Sequence, residues 1–114
     1  EDVTNLSVTI ITSGRPVCLM LVPDGSTNHA FVGTDSGDGI SKGLIVSIVR
    51  DSTVISRGAF FTETTNIAMI PPGVINAIDI VGAGTYTYKV RHYSSPSSSS
   101  LLYVYYCKLV AYEL

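Results

Sequence analysis

Thr85-Tyr86-Thr87-Tyr88-Lys89-Val90-Arg91-His92 is the stretch that decides the fold class. It alternates without a break. Tyr86, Tyr88, Val90 and His92 share one face, while Thr85, Thr87, Lys89 and Arg91 share the other, as in a half-buried antiparallel strand. Runs of similar length and composition precede and follow it: Leu6–Thr12, Pro16–Val22, Leu44–Arg50, Thr53–Arg57, Asn66–Ile70, Ile75–Val81 and Leu101–Tyr112, the last read as one long or bent strand. They are rich in Val, Ile, Thr and Tyr, residues that suit a pleated surface. No window sustains apolar residues at helical spacing over the length a helix needs.

Turn chemistry separates these runs. Breaks fall at Ser13-Gly14-Arg15, Pro23-Asp24-Gly25, Asp51-Ser52, Pro71-Pro72-Gly73 and Gly82-Ala83-Gly84. Asp51-Ser52 is short enough for a tight hairpin. Many short strands with regular turns indicate an all-β antiparallel sandwich or barrel. Two segments differ. Asn28–Gly43 is polar and Gly-rich and reads as a long surface loop. Ser94–Ser100, with the sequence SSPSSSS, is low in complexity and reads as a mobile connection between strands.

A chain of 114 residues has room for one domain, spanning residues 1–114, and one core. Hydrophobic residues make up 46% and charged residues 14%, against about 25% charged in an ordinary soluble domain. So small a body has little interior for that much apolar surface, and a partner subunit is the natural cover. Leu101-Leu102-Tyr103-Val104-Tyr105-Tyr106-Cys107 sharpens the point, because it is apolar on both faces. A sandwich strand has one inner and one outer face. An outer face of Tyr and Leu calls for another protomer or for loops of its own chain. The strand Thr85–Tyr93 is the expected neighbour of this run.

Charge narrows the partners. The net charge of −2 provides no basic field for a phosphate backbone, so nucleic-acid binding is not expected. The longest apolar runs, Val17–Val22 and Leu101–Cys107, are of strand length, well short of the ~20 residues of a spanning helix, and no membrane insertion is expected. No signal peptide opens the chain. Its start at Glu1 fits a domain cut from something longer or one exported inside a virion.

Catalytic constellations do not emerge, and the chain is not expected to be an enzyme. Cys107 with His29 or His92 would be a Cys–His pair only on paper, since a thiol among hydrophobic neighbours is inert. No G-x-S-x-G elbow is present. Cys18 and Cys107 read more plainly as two buried free thiols than as a disulfide, which stays open. No zinc spacing occurs, and Asp35-Ser36-Gly37-Asp38-Gly39 fails the EF-hand pattern, so no metal or other cofactor is expected. Asn5-Leu6-Ser7 is formally a glycosylation sequon at a strand start. Asp79, alone among apolar residues in its strand, needs Arg50, Arg57 or Arg91 if it is buried, and none if it faces an edge.

With the strands laid out, the chain resembles the head domains of phage tail fibres and related virion-surface proteins, which have a C1q/TNF-like jelly roll. The resemblance runs from about Leu6 to Leu114. It rests on Thr12–Val17 (TSGRPV), Arg50–Ser56 (RDSTVIS), Ile70–Arg91 (IPPGVINAIDIVGAGTYTYKVR) and the terminal Lys108–Leu114 (KLVAYEL). It implies a two-sheet jelly-roll sandwich that assembles as a homotrimer. The apolar, Tyr-rich inner sheets would meet at the threefold axis and the loops would face outward toward a receptor or glycan, on a virion or otherwise outside the cell. Tyr86, Tyr88, Tyr103, Tyr105 and Tyr112 become the candidates for core or trimer packing.

The function expected is therefore a non-catalytic head or attachment domain that binds a cell-surface glycan or protein receptor. A carbohydrate-binding lectin module is the first alternative, with Asn28, His29, Asp35, Asp38 and Tyr93 as candidate ligand residues. A jelly-roll capsid or decoration protein is the second. The fold class to be tested is an all-β, antiparallel, two-sheet sandwich.

Overall fold

Each period-two run contributes a strand in the computed structural model, which describes residues 2–35, 42–62, 67–70, 72–95 and 101–114. In chain order the strands are β1 (Asp2–Thr12), β2 (Val17–Pro23), β3 (Phe31–Asp35), β4 (Lys42–Arg50), β5 (Thr53–Thr62), β6 (Ile67–Ile70), β7 (Asn76–Asp79), β8 (Gly84–Ser95), β9 (Leu101–Tyr105) and β10 (Cys107–Glu113). A 3₁₀ turn, Pro72–Val74, leads into β7. The chain is all-β, and every strand pairing among the described residues is antiparallel.

One sheet has the order β1-β8-β4-β5. The opposite layer consists of two three-stranded sheets, β10-β2-β7 and β6-β3-β9. The same three chain passages build both: β2 continues into β3, β6 into β7, and β9 into β10. Two backbone bonds carry the pairing across the breaks. Leu21 N–H donates to Ile75 O at 3.0 Å, and Asp24 N–H to Tyr106 O at 2.8 Å.

Between the layers lie Leu6, Val17, Leu19, Leu21, Val32, Val46, Ile48, Tyr88, Val90 and Leu109, all buried. Alternation places them. On β2, odd-numbered Val17, Leu19 and Leu21 point inward and leave Cys18, Met20 and Val22 half-buried on the far side. On β8 the expected division holds: Tyr88 and Val90 are buried, while Thr85 and its neighbours line the outer face. The Asp51-Ser52 hairpin forms as expected, with Arg50 opposite Thr53. Asp51 takes a positive φ of 50°, which Asp tolerates better than most residues. Its N–H donates to Thr87 O at 2.8 Å, and its carboxylate accepts from Thr87 N–H at 3.2 Å.

Three expectations are corrected. Asn28–Gly43 is not one long loop, because Phe31–Asp35 forms β3 between β6 and β9. Val32 drives this, being wholly buried opposite Val104. The Leu101–Tyr112 run is two strands, since Tyr106 has a φ of 56° and interrupts the ladder. Finally, Thr85–Tyr93 does not neighbour Leu101–Cys107. β8 lies between β1 and β4, whereas β9 pairs with β3 and β10 with β2. The long alternating β8 fits the centre of the large sheet, where both its edges find partners. Of the expected serine-rich connection, Ser94 and Ser95 belong to β8, and 96–100 lie outside the described residues.

Candidate functional site: the outer face of the β10-β2-β7 sheet

The two outer faces of the sandwich differ in chemistry. On the β1-β8-β4-β5 sheet, β1 and β8 present Ser7, Thr9, Ile11, Thr85, Thr87, Lys89 and Arg91. Thr9 and Thr87 bond through their hydroxyls at 2.9 Å. Asp2 accepts from Lys89 at 3.2 Å and from Arg91. These two cations hold the Asp2 carboxyl below its usual range. Ile11 and, on β5, Val54, which is 41% exposed opposite Val49, are the apolar exceptions on a surface that is otherwise suited to water over β1 and β8.

The face of β10-β2-β7 is not. The register lines up Tyr112, Cys18 and Ile78 in one row across the three strands, and Val110, Met20 and Asn76 in the next. Lys108 and Val22 begin a third. Ile78 is 64% exposed, Tyr112 49% and Ile80, just beyond the strand, 79%. Leu114 closes the patch at 48%. Tyr112 is paired directly opposite Cys18, and its interaction with that thiol raises the hydroxyl above its ordinary pKa. Among the described residues of these three strands, the only charge on this face is Lys108, at one end. Exposed apolar residues are thus gathered on this face, whereas the outer face of β1 and β8 is mostly polar.

The expected interface tyrosines divide. Tyr112 lies on this face, and Tyr105 is 44% exposed on the adjoining β9. Tyr103 is on β9, with its side chain outside the described residues. Tyr86 and Tyr88 belong elsewhere. Tyr88 is completely buried between the layers and offers nothing to a partner. Tyr86 is half-buried on the same inward-facing side of β8, and its hydroxyl donates to Gly82 O at 3.0 Å. Their alternation with Thr and Lys reflects an inner face, which puts Tyr88 in the core and Tyr86 at its margin, the core-packing alternative of the two expected for them. Cys18, Met20, Ile78 and Val110 were not among the candidates. For Cys18 and Met20 the signal was the run Val17–Val22, apolar at every position; Ile78 and Val110 lie in the runs Ile75–Val81 and Leu101–Tyr112.

The sheet is fixed at its two ends by polar clusters. Asp79, buried with 7% exposure, faces inward from β7. Arg50 Nη1 donates to its two oxygens at 2.8 and 2.7 Å, and the Tyr88 hydroxyl donates to Oδ2 at 2.8 Å. Arg50 is thus the partner, and Asp79 does not face an edge. The Arg50 guanidinium also lies 5.7 Å from the centroid of the Tyr86 ring, a cation–π distance. Burial and the bond to Asp79 push the Tyr88 hydroxyl far up. At the opposite edge, the Glu113 carboxylate of β10 accepts from Thr12 Oγ1, from Ser13 N–H and from Ser13 Oγ. These bonds hold it below its usual pKa and pin the terminal strand to the β1–β2 turn.

The expected ligand residues are not brought together. Asn28 and His29 are exposed on the β2–β3 connection. The backbone of Asp35 is in β3, opposite Ile67 and Leu101. Tyr93 is on β8, in the other layer, opposite Ile45. Asp38 and the side chains of Asp35 and Tyr93 lie outside the described residues. Cys18 and Cys107 are both free, but half-buried rather than buried. The Cys107 thiol points inward and donates to Tyr105 O at 3.1 Å, and burial raises its pKa. Among the described residues no group of His, Cys, Asp and Glu could hold a metal. A cleft of about 50 Å³ between β5 and β7, lined by Val46, Ile48, Arg57 and Ile75, is smaller than an ordinary substrate pocket. No helix of the described residues is long and apolar enough to cross a membrane. Comparison with family models, with curated proteins and with solved structures finds no match to this chain.

Proposed function

We propose that this chain is a non-catalytic assembly and attachment domain, the head of a virion fibre or surface protein, working as a homotrimer. The observation that carries the reading is the apolar outer face of the β10-β2-β7 sheet, set against the polar outer face of the other sheet. Three copies meeting through that face would cover Ile78, Met20, Cys18 and Tyr112 and leave the Thr- and Lys-bearing face in water. Lys108, at the rim, could keep its charge hydrated.

The strand order supports a jelly roll. Taking β2 with β3, β6 with β7, and β9 with β10 as single passages, the chain makes seven passes. The first, sixth, third and fourth form one layer, and the seventh, second and fifth the other. Consecutive passes change layer except at the β4–β5 hairpin, as in interlocked Greek keys. The virion-surface setting rests on the resemblance of the Ile70–Arg91 and Lys108–Leu114 segments to fibre heads.

Size exclusion with light scattering at micromolar concentration tests the reading. A mass of three 12.1 kDa chains is expected. A well-behaved monomer overturns it.

A further inference from the structure

We infer that the β9–β10 junction is a saccharide-binding shelf, with Tyr105 and Tyr106 as its stacking surface and the β2–β3 connection as its polar rim. The inference names a ligand class for the attachment half of the proposed function and rests on that half, but not on trimer assembly. It begins with the backbone. Tyr106 adopts a left-handed φ of 56°, uncommon for so bulky a side chain. Such outliers persist where the surroundings over-determine them, often at ligand sites, and bulges serve to re-aim side chains beside binding sites.

Here the re-aiming has a visible product. Neighbouring residues of a regular strand point to opposite faces. Yet the rings of Tyr105 and Tyr106 lie 6.2 Å apart between centroids, tilted by 40°. The Phe31 ring also packs on that of Tyr105, at 4.8 Å and 31°. Tyr105 and Tyr106 remain 44% and 43% exposed. The result is a shallow aromatic surface, to which the apolar face of a pyranose ring can stack while its hydroxyls reach outward.

The polar rim is tethered to the same two tyrosines. Asp24 N–H donates to Tyr106 O at 2.8 Å where the connection leaves β2. Where it returns, Phe31 pairs with Tyr105. Between these points Asp24 Oδ1 accepts from Ser26 N–H at 2.9 Å, and Ser26 Oγ accepts from Asn28 N–H at 3.3 Å. These bonds order the backbone that carries exposed Asn28 and His29, whose side chains supply the amide and imidazole groups that hydroxyl recognition uses. Asp24, bonded to Tyr106, and Lys108, opposite Val22 in the register, put one acid and one base beside the shelf. A neutral sugar fits this environment better than an anionic one.

The test is an NMR titration of the full chain with methyl glucoside, methyl galactoside and methyl N-acetylglucosaminide, and with sialic acid as an anionic control. Saturable shifts of the Tyr105 and Tyr106 ring signals and of the 24–30 amides are expected, with a dissociation constant in the ~1 mM range. Tyr106→Gly removes the ring at a φ that Gly adopts readily, so it preserves the backbone conformation. It is expected to weaken binding at least about tenfold while leaving the light-scattering mass unchanged. The absence of saturable shifts with every neutral glycoside overturns the inference, as does equal binding by Tyr106→Gly. A change of mass in Tyr106→Gly would mean that a second copy occupies the shelf, which also overturns it.

Discussion

Arg50 of β4 and Asp79 of β7 join the two layers of the sandwich through bonds of 2.8 and 2.7 Å from one guanidinium nitrogen to both carboxylate oxygens. Because the Asp79 side chain is only 9% exposed and that of Arg50 22%, the pair is largely removed from water. Asp79→Asn keeps the volume and removes the charge. It leaves Arg50 uncompensated and weakens the acceptor for Tyr88. A loss of about 2–3 kcal/mol in urea unfolding is expected, below the full range for a deeply buried pair because Arg50 retains some solvent. An unchanged midpoint would remove the pair from any account of stability.

Glu113 supplies a pH dependence of known sign. Bonds from Thr12 and Ser13 lower its folded pKa below the ordinary 4.5. Its contribution is therefore fully present above pH 4.5 and disappears as pH falls through the lower folded value. Asp2 and Asp24, also lowered, act in the same direction below 3.8. Thermal midpoints taken from pH 7 down to pH 3 should hold steady and then fall on the acid side. Glu113→Gln should lower the midpoint at neutral pH and flatten the acid limb. An acid limb of unchanged slope in Glu113→Gln would place the acid sensitivity elsewhere.

How much of this was legible in the sequence depends on the residue. The β8 alternation was readable because Tyr86, Tyr88 and Val90 sit on a strand with polar neighbours at every second position. β3 was not, because only Phe31 and Val32 stand out from Gly, Asp and Ser, and burial of Val32 opposite Val104 is a long-range event. The β9–β10 run misled for a geometric reason. Val104 packs against the core, so unbroken alternation would put Tyr106 and Lys108 inside. The left-handed Tyr106 shifts the phase by one residue, and Cys107 and Leu109 face the core instead. Nothing in the residue types announces a positive φ at a tyrosine. For Asp79 the sequence offered Arg50, Arg57 or Arg91 as a partner, or an edge position with none, and only the topology selected Arg50. Of the apolar face, Tyr112 was legible as an amphipathic aromatic. Met20, Cys18 and Ile78 required knowledge of which side of β2 and β7 faces out.

Ile78→Asp tests that face with little effect on the interior, since Ile78 is 64% exposed and lies outside the buried cluster. A carboxylate in the row of Cys18 and Tyr112 would be desolvated without a partner on assembly. The variant should elute as a folded monomer with wild-type far-ultraviolet circular dichroism, and its association should weaken by roughly a hundredfold or more. If Ile78→Asp keeps the wild-type mass, the face is not where copies meet.

The two thiols give an independent reading of the same surface. Cys18 sits on the outer face between Tyr112 and Ile78, whereas Cys107 points inward and burial raises its pKa. In the monomeric Ile78→Asp variant a brief pulse of iodoacetamide, followed by peptide mass spectrometry, should therefore modify Cys18 well ahead of Cys107, because the thiolate is the reacting species and access controls its rate. If copies meet through this face as proposed, Cys18 of the wild-type protein should be protected about tenfold or more while Cys107 changes little. Protection of Cys18 that rises with protein concentration would tie the effect to association rather than to packing within one chain. Equal labelling of Cys18 in the variant and the wild type would show that assembly leaves this face open.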